Sequence, residues 1–246
     1  MLPGSSSVFA AYRFSGGWRL FIVALLRPLL WALLGRRWRG RDMIPRRGGV
    51  ILAANHLSEA DPLALGHFVY KAGRFPVFLA KDALFRVPLV GALLAASGQI
   101  PVARGTEGAA RSLEGARAAL AAGQCVIFYP EGTCTRDPLL WPMRAKTGAA
   151  RLALETGAPV IPVAQWGAHE LLPYRSGGLR LLPRKTMRVA AGAPVDLTAY
   201  AEAAADADTL RAATDEIMRK ITGLLGELRE QAPPERPYVH EERRQT

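Results

Sequence analysis

Short apolar runs alternate with amphipathic stretches along most of the chain after residue 49. The apolar runs predict strands over residues 50–54, 75–80, 99–103, 125–129, 160–165 and 187–191. Helical spacing of apolar residues predicts helices over residues 62–71, 83–97, 106–122, 146–156 and 210–229. This alternation is typical of an α/β fold with a mixed, largely parallel sheet flanked by helices. With 246 residues, half of them apolar, the chain is long enough for one such core.

The stretch over residues 18–34 is apolar and aromatic but is interrupted by Arg19, Arg27 and Pro28. A membrane-spanning helix needs about 20 largely uncharged residues, and this stretch is shorter and charged in its middle. A cleaved signal peptide is disfavoured because no small-residue cleavage site follows before the arginine cluster. Tryptophan and aliphatic residues beside arginines favour a helical segment that lies in the membrane interface. An ordinary helix packed on the core is the alternative.

The sequence therefore divides into three predicted parts. Residues 1–40 form an N-terminal membrane-interfacial helical segment, and residues 41–230 form the α/β domain. Residues 231–246 are polar and contain prolines, which predicts a flexible tail.

Positive charge is concentrated at the N-terminus. Residues 1–49 contain nine arginines and one acid, Asp42, so they carry +8 of the net charge of +11. Such a segment attracts either nucleic acid or an anionic membrane surface. Because no nucleic-acid-binding module accompanies the charge, we expect the membrane surface as a partner and not nucleic acid. Cys125 and Cys134 are too few for a disulfide framework or a metal cluster, so we expect both to be reduced residues of the core. Reduced cysteines together with the expected membrane contact predict a peripheral or monotopic protein at the cytoplasmic face of the membrane.

The segment NHLSEAD, residues 55–61, directly follows the first predicted strand of the α/β domain. His56 can accept a proton near neutral pH, and a carboxylate on its far ring nitrogen would fix the tautomer and stabilise the imidazolium. Asp61 is five residues away and is the candidate for that carboxylate. The structural alternative is that Asp61, followed by Pro62, only caps the next helix.

Cationic residues recur where predicted strands end. Lys81, Arg104, Arg136 and Lys146 all lie at such junctions, and ligands of α/β sheets gather there. Arg104 precedes a predicted helix N-terminus, where backbone N–H groups also favour an anion. Each residue taken alone is also explained as a solvated charge or a cap, but their recurrence predicts a substrate that carries phosphate.

Four blocks of the chain, in order, resemble those of the glycerophospholipid acyltransferases of the lysophosphatidic acid acyltransferase type. NHLSEAD (55–61) resembles the N-H-x4-D block, and KDALFRVPLVGALLAASGQIPVARG (81–105) resembles the block that ends in a phosphate-binding arginine. FYPEGTCTR (128–136) resembles the F-P-E-G-T-R block, and VIPVAQWG (160–167) resembles the final V-x-P-V block. The resemblance covers roughly residues 50–195.

The resemblance implies a role for each matching residue. His56 would take the proton from the acceptor hydroxyl, and Asp61 would support the imidazole. Arg104, helped by Lys81 and Lys146, would bind the acceptor phosphate. Three residues of the third block, Glu131, Gly132 and Thr133, would shape the acceptor pocket. Cys134 stands where the family pattern has arginine, so either Arg136 substitutes from a shifted position or that contact is lost. His169 is the only rival for the base, and no metal or cofactor is implied.

The implied reaction is the transfer of an acyl group from acyl-CoA or acyl carrier protein to 1-acyl-sn-glycerol-3-phosphate, a lysophospholipid, giving phosphatidic acid. Glycerol-3-phosphate or a lyso-ornithine-type lipid is the alternative acceptor. A rival from another class is a non-catalytic, basic membrane-binding protein.

Overall fold

The computed structural model describes residues 34–103, 106–174, 178–202 and 206–239, together with Gly17, Ala24, Pro28 and Trp31, which are helical. The strands are β1 (Leu34–Arg39), β2 (Val50–Ala54), β3 (Pro76–Lys81), β4 (Ile100–Val102), β5 (Cys125–Phe128), β6 (Val160–Trp166) and β7 (Lys185–Ala191). The helices are α1 (Asp61–Lys71), α2 (Asp82–Phe85), α3 (Val90–Ala96), α4 (Thr106–Ala121), α5 (Gly148–Thr156), α6 (Ala168–Leu171) and α7 (Ala207–Arg229).

The strands form one seven-stranded sheet in the order β1-β7-β6-β2-β5-β3-β4. Every neighbouring pair is parallel except β6 and β7, which are antiparallel. The expected mixed, largely parallel sheet is therefore confirmed. Because β2, β3, β5 and β6 run in the same direction, the residues that follow them meet at one edge, called here the carboxyl edge.

Helices cover both faces of the sheet, which explains why the central strands are apolar throughout. Leu52 and Ile127 belong to the core cluster on the α1 side, where Phe68 is fully buried. Ile51 and Val126 alternate with them and pack on the other side, in the cluster built with α4, α5 and α7. All five residues of β2 are buried, so the chain leaves the middle of the sheet in a fixed position.

The strand β1 was not predicted, and it changes the boundary of the α/β domain. Residues 34–39 were assigned to the N-terminal helical segment, but they pair in parallel with β7 and extend the sheet before residue 41. Only alternate side chains of the sequence LGRRWR turn toward the protein, and arginines lie on this edge strand. Apart from four helical residues, residues 1–33 of the predicted segment lie outside the described residues. In the part of the chain that is described, no helix is both long and apolar enough to cross a membrane.

Two other regions differ from the expected pattern. The predicted helix over residues 83–97 is divided into α2 and α3 by a break that contains Pro88 and Leu89, and Leu89 has a positive φ of 68°. In the predicted tail, residues 231–239 are described, and the N–H of Arg144 donates to the carbonyl of Tyr238 at 3.0 Å. Residues 240–246 lie outside the described residues.

Arg74 connects the loops at the opposite edge of the sheet. It is only 8% exposed, and its guanidinium donates hydrogen bonds to the carbonyls of Pro45, Gly48 and Gly123. Gly48 precedes β2 and Gly123 precedes β5. One buried cation therefore fixes the entry of the two central strands.

We expect Arg74→Ala to lower the free energy of unfolding by about 3 kcal/mol, because three buried carbonyls lose a charged donor at once. Urea denaturation followed by circular dichroism measures this change. The matched control is Arg117→Ala: Arg117 forms an exposed ion pair with Glu155, and its loss should change stability by less than about 1 kcal/mol. Equal effects of the two substitutions would contradict the role assigned to Arg74.

Candidate active site

His56 and Asp61 form a hydrogen-bonded pair at the carboxyl edge. Nδ1 of His56 lies 2.9 Å from Oδ2 of Asp61, and the aspartate side chain is completely buried. The same oxygen accepts the backbone N–H groups of Leu57 at 2.6 Å and Ser58 at 2.9 Å. A carboxylate can only accept, so the proton is on Nδ1 and the lone pair is on Nε2. This arrangement leaves Nε2 of His56, which points away from Asp61, able to accept a proton.

Asp61 does not act as the helix cap that its sequence allows. It is the first residue of α1, the N-cap is Ala60, and no side chain caps the helix. The carboxylate is used instead by the loop that precedes α1. Ser58 stabilises that loop, since its hydroxyl accepts the N–H of Ala60 at 3.0 Å and donates to the carbonyl of Leu172 at 2.6 Å.

Asn55 fixes the backbone just before His56. Its side chain accepts the N–H of Gln165 at 2.8 Å and donates to the carbonyl of Gln165 at 3.0 Å. The amide of Gln165 in turn donates to the carbonyl of Asn55 at 2.7 Å. These buried bonds join the end of β2 to β6. The sequence shows an asparagine in the block, but its partner is 110 residues away and is visible only in the fold.

Tyr129 holds the imidazole from its face. The two rings stack with centroids 4.1 Å apart and an angle of 16°, and Phe78 stacks on Tyr129 at 6.5 Å. Burial raises the pKa of Tyr129 well above its ordinary value, so the ring is neutral. The stack places an aromatic face, which attracts cations, against the ring that would receive a proton during acyl transfer. Sequence reasoning assigned Tyr129 only to the end of a strand.

Glu131 is a buried brace for the loop over residues 130–143. Its two oxygens accept the N–H of His56 at 3.0 Å and the N–H of Met143 at 2.9 Å. Burial raises the pKa of Glu131 to about 8, although the hydrogen bonds from these two N–H groups by themselves lower the pKa. Both of its oxygens are occupied by the backbone, so the structure gives Glu131 a positioning contact with His56.

Cys134 lies against the reactive nitrogen of His56. Its Sγ is 3.5 Å from Nε2, and the residue is 3% exposed. Burial, reinforced by the charge of Asp61, raises the pKa of the thiol to about 12. The thiol is therefore neutral and can donate weakly to the lone pair of His56. The loop is fastened again at the next residue, where the N–H of Thr135 donates to the carbonyl of His56 at 2.7 Å.

The cationic residues predicted for phosphate binding have different positions. Lys81 is exposed at the end of β3, and its charge partly opposes the burial that raises the pKa of Cys134, which places Lys81 on the Cys134 side of the site. Lys146 is exposed and packs on Gly132, where an added Cβ would lie 3.5 Å from its Nζ. Arg136 is partly buried, and within the described residues its Nε has no hydrogen-bond partner. Arg104 lies outside the described residues.

The exposed Gly132 and the partly buried Thr133 connect Glu131 to Cys134. Gly132 has a φ of 72°, so a side chain there would strain the backbone and press on Lys146. Within the described ranges, no group of three or more His, Cys, Asp or Glu side chains could hold a metal ion. That the reaction needs no metal or cofactor stays a prediction.

The rival histidine, His169, is arranged differently. Its ring meets Trp166 edge-on at 4.3 Å, and burial lowers its pKa. In the described part of the chain its Nδ1 is buried and has no hydrogen-bond partner, and no carboxylate forms an ion pair with it. His56 therefore has the oriented carboxylate that a general base needs, and His169 does not.

A family model described as Acyltransferase matches residues 35–166, more than half of the chain, including His56, Asp61 and the loop that covers them. The chain belongs to this acyltransferase family.

Curated members of the family match part of the chain. The 1-acyl-sn-glycerol-3-phosphate acyltransferase of Borreliella burgdorferi is 32% identical over 139 residues, which are 53% of this chain and 50% of that protein. Human lysophospholipid acyltransferase LPCAT4 is 32% identical over 158 residues, which are 60% of this chain and 28% of that protein. This acyltransferase thus spans half or less of the length of these two relatives.

A solved structure extends the comparison to almost the whole fold. The crystal structure of the 1-acyl-sn-glycerophosphate acyltransferase PlsC from Thermotoga maritima matches with a TM-score of 0.63. The match covers 92% of this chain and 88% of that one at 21% identity. The two acyltransferases share the α/β fold described above.

The pKa of Glu131 predicts how stability depends on pH. Because the folded-state pKa of about 8 lies above the ordinary 4.5, folding retains a proton that the unfolded chain releases in this range. This stabilisation is complete below the unfolded pKa and is lost as the pH rises through the folded pKa, by up to about 1.4 kcal/mol per pH unit. Urea denaturation at several pH values should show this decline in the wild type and a shallower one in Glu131→Gln. Parallel pH profiles would contradict it.

The state of Cys134 predicts slow reaction with alkylating reagents. A buried thiol with a pKa of about 12 has almost no thiolate near neutral pH. Mass spectrometry after iodoacetamide treatment should find Cys134 and the fully buried Cys125 unmodified in the folded protein, and both modified in urea. Rapid labelling of Cys134 in the folded protein would show an activated thiol instead.

Proposed function

We propose that this acyltransferase moves an acyl group from an acyl thioester to the free hydroxyl of 1-acyl-sn-glycerol-3-phosphate, giving phosphatidic acid and a free thiol. The observation that carries the proposal is the His56–Asp61 pair, held by the buried carboxylate at the carboxyl edge. The family, and the activity for which the Borreliella burgdorferi relative is named, support the same reaction.

The geometry supports direct transfer. Nε2 of His56 takes the proton of the acceptor hydroxyl. At the same time the hydroxyl oxygen attacks the thioester carbonyl, forming a C–O bond and an oxyanion. Asp61 and the face of Tyr129 stabilise the imidazolium. When the carbonyl reforms, the C–S bond breaks and the thiolate leaves with the proton from Nε2. Because Cys134 lies 3.5 Å from Nε2, its thiol turns aside as the acceptor binds.

A covalent acyl-cysteine route is disfavoured by the same contact. The Cys134 thiol contacts Nε2 of His56, but its pKa of about 12 keeps it protonated. The acyl-cysteine route needs a discrete thiolate in a buried site beside the charge of Asp61. The acceptor hydroxyl needs no ionised intermediate, because it loses its proton to His56 as its oxygen bonds to the carbonyl carbon. We therefore assign Cys134 no nucleophilic role.

The acceptor phosphate is the ligand that the cationic residues fit. Lys81 is exposed on the Cys134 side of the site, Lys146 is exposed beside Gly132, and Arg136 belongs to the same loop as Glu131. Together with Arg104 they are the proposed phosphate contacts, and Gly132 and Thr133 are proposed to contact the glycerol. The relationship to LPCAT4, named as a lysophospholipid acyltransferase, keeps other lysophospholipids among the acceptors to be tested.

The acyl donor and the location follow from the chemistry of the substrates. Acyl-CoA and acyl carrier protein are both acidic thioesters, and either suits a chain with a net charge of +11. Acceptor and product both carry long apolar chains, so the enzyme works best at a membrane surface. We propose peripheral or monotopic association with the cytoplasmic face and catalysis without a metal or prosthetic group.

The test is acyl transfer from labelled acyl-CoA, and in parallel from acyl carrier protein, to 1-acyl-sn-glycerol-3-phosphate in detergent micelles. His56→Ala should lower the rate by about 10²- to 10⁴-fold, the usual contribution of a general base. His169→Ala is the matched histidine control and should remain active. Mass spectrometry of the protein quenched during turnover should show no acyl adduct on Cys134.

Different results lead to different conclusions. If His56→Ala stays active and His169→Ala does not, the assignment of the base is wrong. If the folded wild type does not acylate this acceptor, the acceptor assignment fails. Glycerol-3-phosphate, a lyso-ornithine lipid and other lysophospholipids then identify the substrate.

A further inference from the structure

A second cationic site lies at the sheet edge formed by β1, away from His56. A cavity of about 330 Å³ is lined by Trp31, Arg36, Trp38, Arg41 and Lys71. Three of these residues carry a positive charge, and none carries a negative one. We call this cavity the β1–α1 pocket.

The β1–α1 pocket is separate from the site around His56. β1 is parallel to β7, and β7 is antiparallel to β6, so β1 runs opposite to the strand that carries His56. Helix α1 begins at Asp61 and ends at Lys71, a rise of about 15 Å at 1.5 Å per residue. A phosphate bound near Lys71 therefore cannot be the phosphate of an acceptor whose hydroxyl lies at His56.

The charges of the pocket are not neutralised by carboxylates. Within the described part of the chain, Arg36, Arg41 and Lys71 form no ion pair. The contrast is Arg39, which lies on the other face of β1 and pairs with Glu227 of α7. A cavity with three unpaired cations attracts an anion.

Trp38 makes the pocket a preformed one. Its ring packs edge-on against His67 at 4.9 Å and Phe68 at 5.8 Å, and the guanidinium of Arg36 lies 5.9 Å from its centre. The indole Nε1 is buried and, among the described residues, has no acceptor. The edge-on contacts fix the ring in one position, so this wall of the pocket is in place before a ligand binds.

Trp31 identifies the kind of surface that brings the anion. Its side chain is 63% exposed, and its carbonyl and that of Leu34 accept hydrogen bonds from Arg184 at 2.7 and 3.0 Å. An exposed tryptophan held beside arginines is typical of a membrane interface, where the ring lies at the level of the headgroups.

We propose that the β1–α1 pocket binds the phosphate of an anionic phospholipid headgroup, such as phosphatidylglycerol, while Trp31 enters the interface beside it. The guanidinium groups of Arg36 and Arg41 and the ammonium of Lys71 contact the phosphate oxygens, and the ring of Trp38 forms the wall of the pocket beside them. This inference rests on one part of the proposed function, namely that the enzyme is associated with a membrane. The pocket would be its contact with a lipid headgroup.

Flotation with phosphatidylcholine vesicles, with and without phosphatidylglycerol, tests the pocket. Arg41→Ala/Lys71→Ala should bind the anionic vesicles about 30-fold more weakly than the wild type, because two cations near the surface are lost. The matched control, Arg111→Ala/Arg151→Ala, removes two exposed charges from α4 and α5 on the other side of the sheet. It should weaken binding less than about threefold because those charges lie beyond the screening length.

Two further arms separate the possible sources of the phosphate. His56→Ala should bind vesicles like the wild type, so a failure of the catalytic proposal leaves this measurement intact. Equal binding by the pocket and control variants, with both still folded by circular dichroism, would overturn the proposal. A third result would assign the pocket to the nucleotide of coenzyme A: 3′,5′-adenosine bisphosphate binds the wild type but not the pocket variant, and vesicle binding is unchanged.

Discussion

One oxygen of Asp61 determines the shape of the site. It accepts the ring N–H of His56 and the backbone N–H groups of Leu57 and Ser58, so it closes residues 56–61 into a tight loop and orients the imidazole. A completely buried carboxylate is unfavourable unless its hydrogen bonds are made, and here three donors serve one oxygen. Because Asp61 is also the first residue of α1, the orientation of the base is coupled to the packing of that helix on the sheet.

The loop over residues 130–143 is held in place by its contacts with His56. It contacts His56 at three points: Glu131 accepts its N–H, Thr135 donates to its carbonyl, and Cys134 lies against Nε2. The first two contacts are with the backbone of His56, so they do not depend on the protonation or the contacts of the imidazole ring. The third is a weak contact of a neutral thiol, so it is the one that a bound hydroxyl can replace at small cost. The protein thus keeps the base rigid and leaves only its reactive nitrogen open to exchange.

The sequence predicted those parts of the molecule that local patterns determine. The buried strand β2 was predicted with correct ends, because apolar residues on both faces give a strong signal. β1 was missed because the arginines in LGRRWR make this edge strand look like the basic end of the N-terminal helical segment. His56 and Asp61 were predicted from their spacing, and their hydrogen bond has the geometry that the spacing allows. The contacts of His56 with Tyr129 and Cys134 join residues more than 70 positions apart, so only the strand order of the sheet reveals them.

Helix α1 also relates the two proposed phosphate sites to the membrane. Its first residue orients the base, and its last residue lines the β1–α1 pocket about 15 Å away. In the proposed acceptor, 1-acyl-sn-glycerol-3-phosphate, the hydroxyl is close to the phosphate, so the proposed reaction takes place at the level of the headgroups. The phosphate proposed for the β1–α1 pocket belongs to a headgroup as well. Both ends of α1 are then at the same depth, and this requires the helix axis to lie nearly parallel to the membrane surface. An enzyme held in this way reaches its acceptor without extracting it from the bilayer.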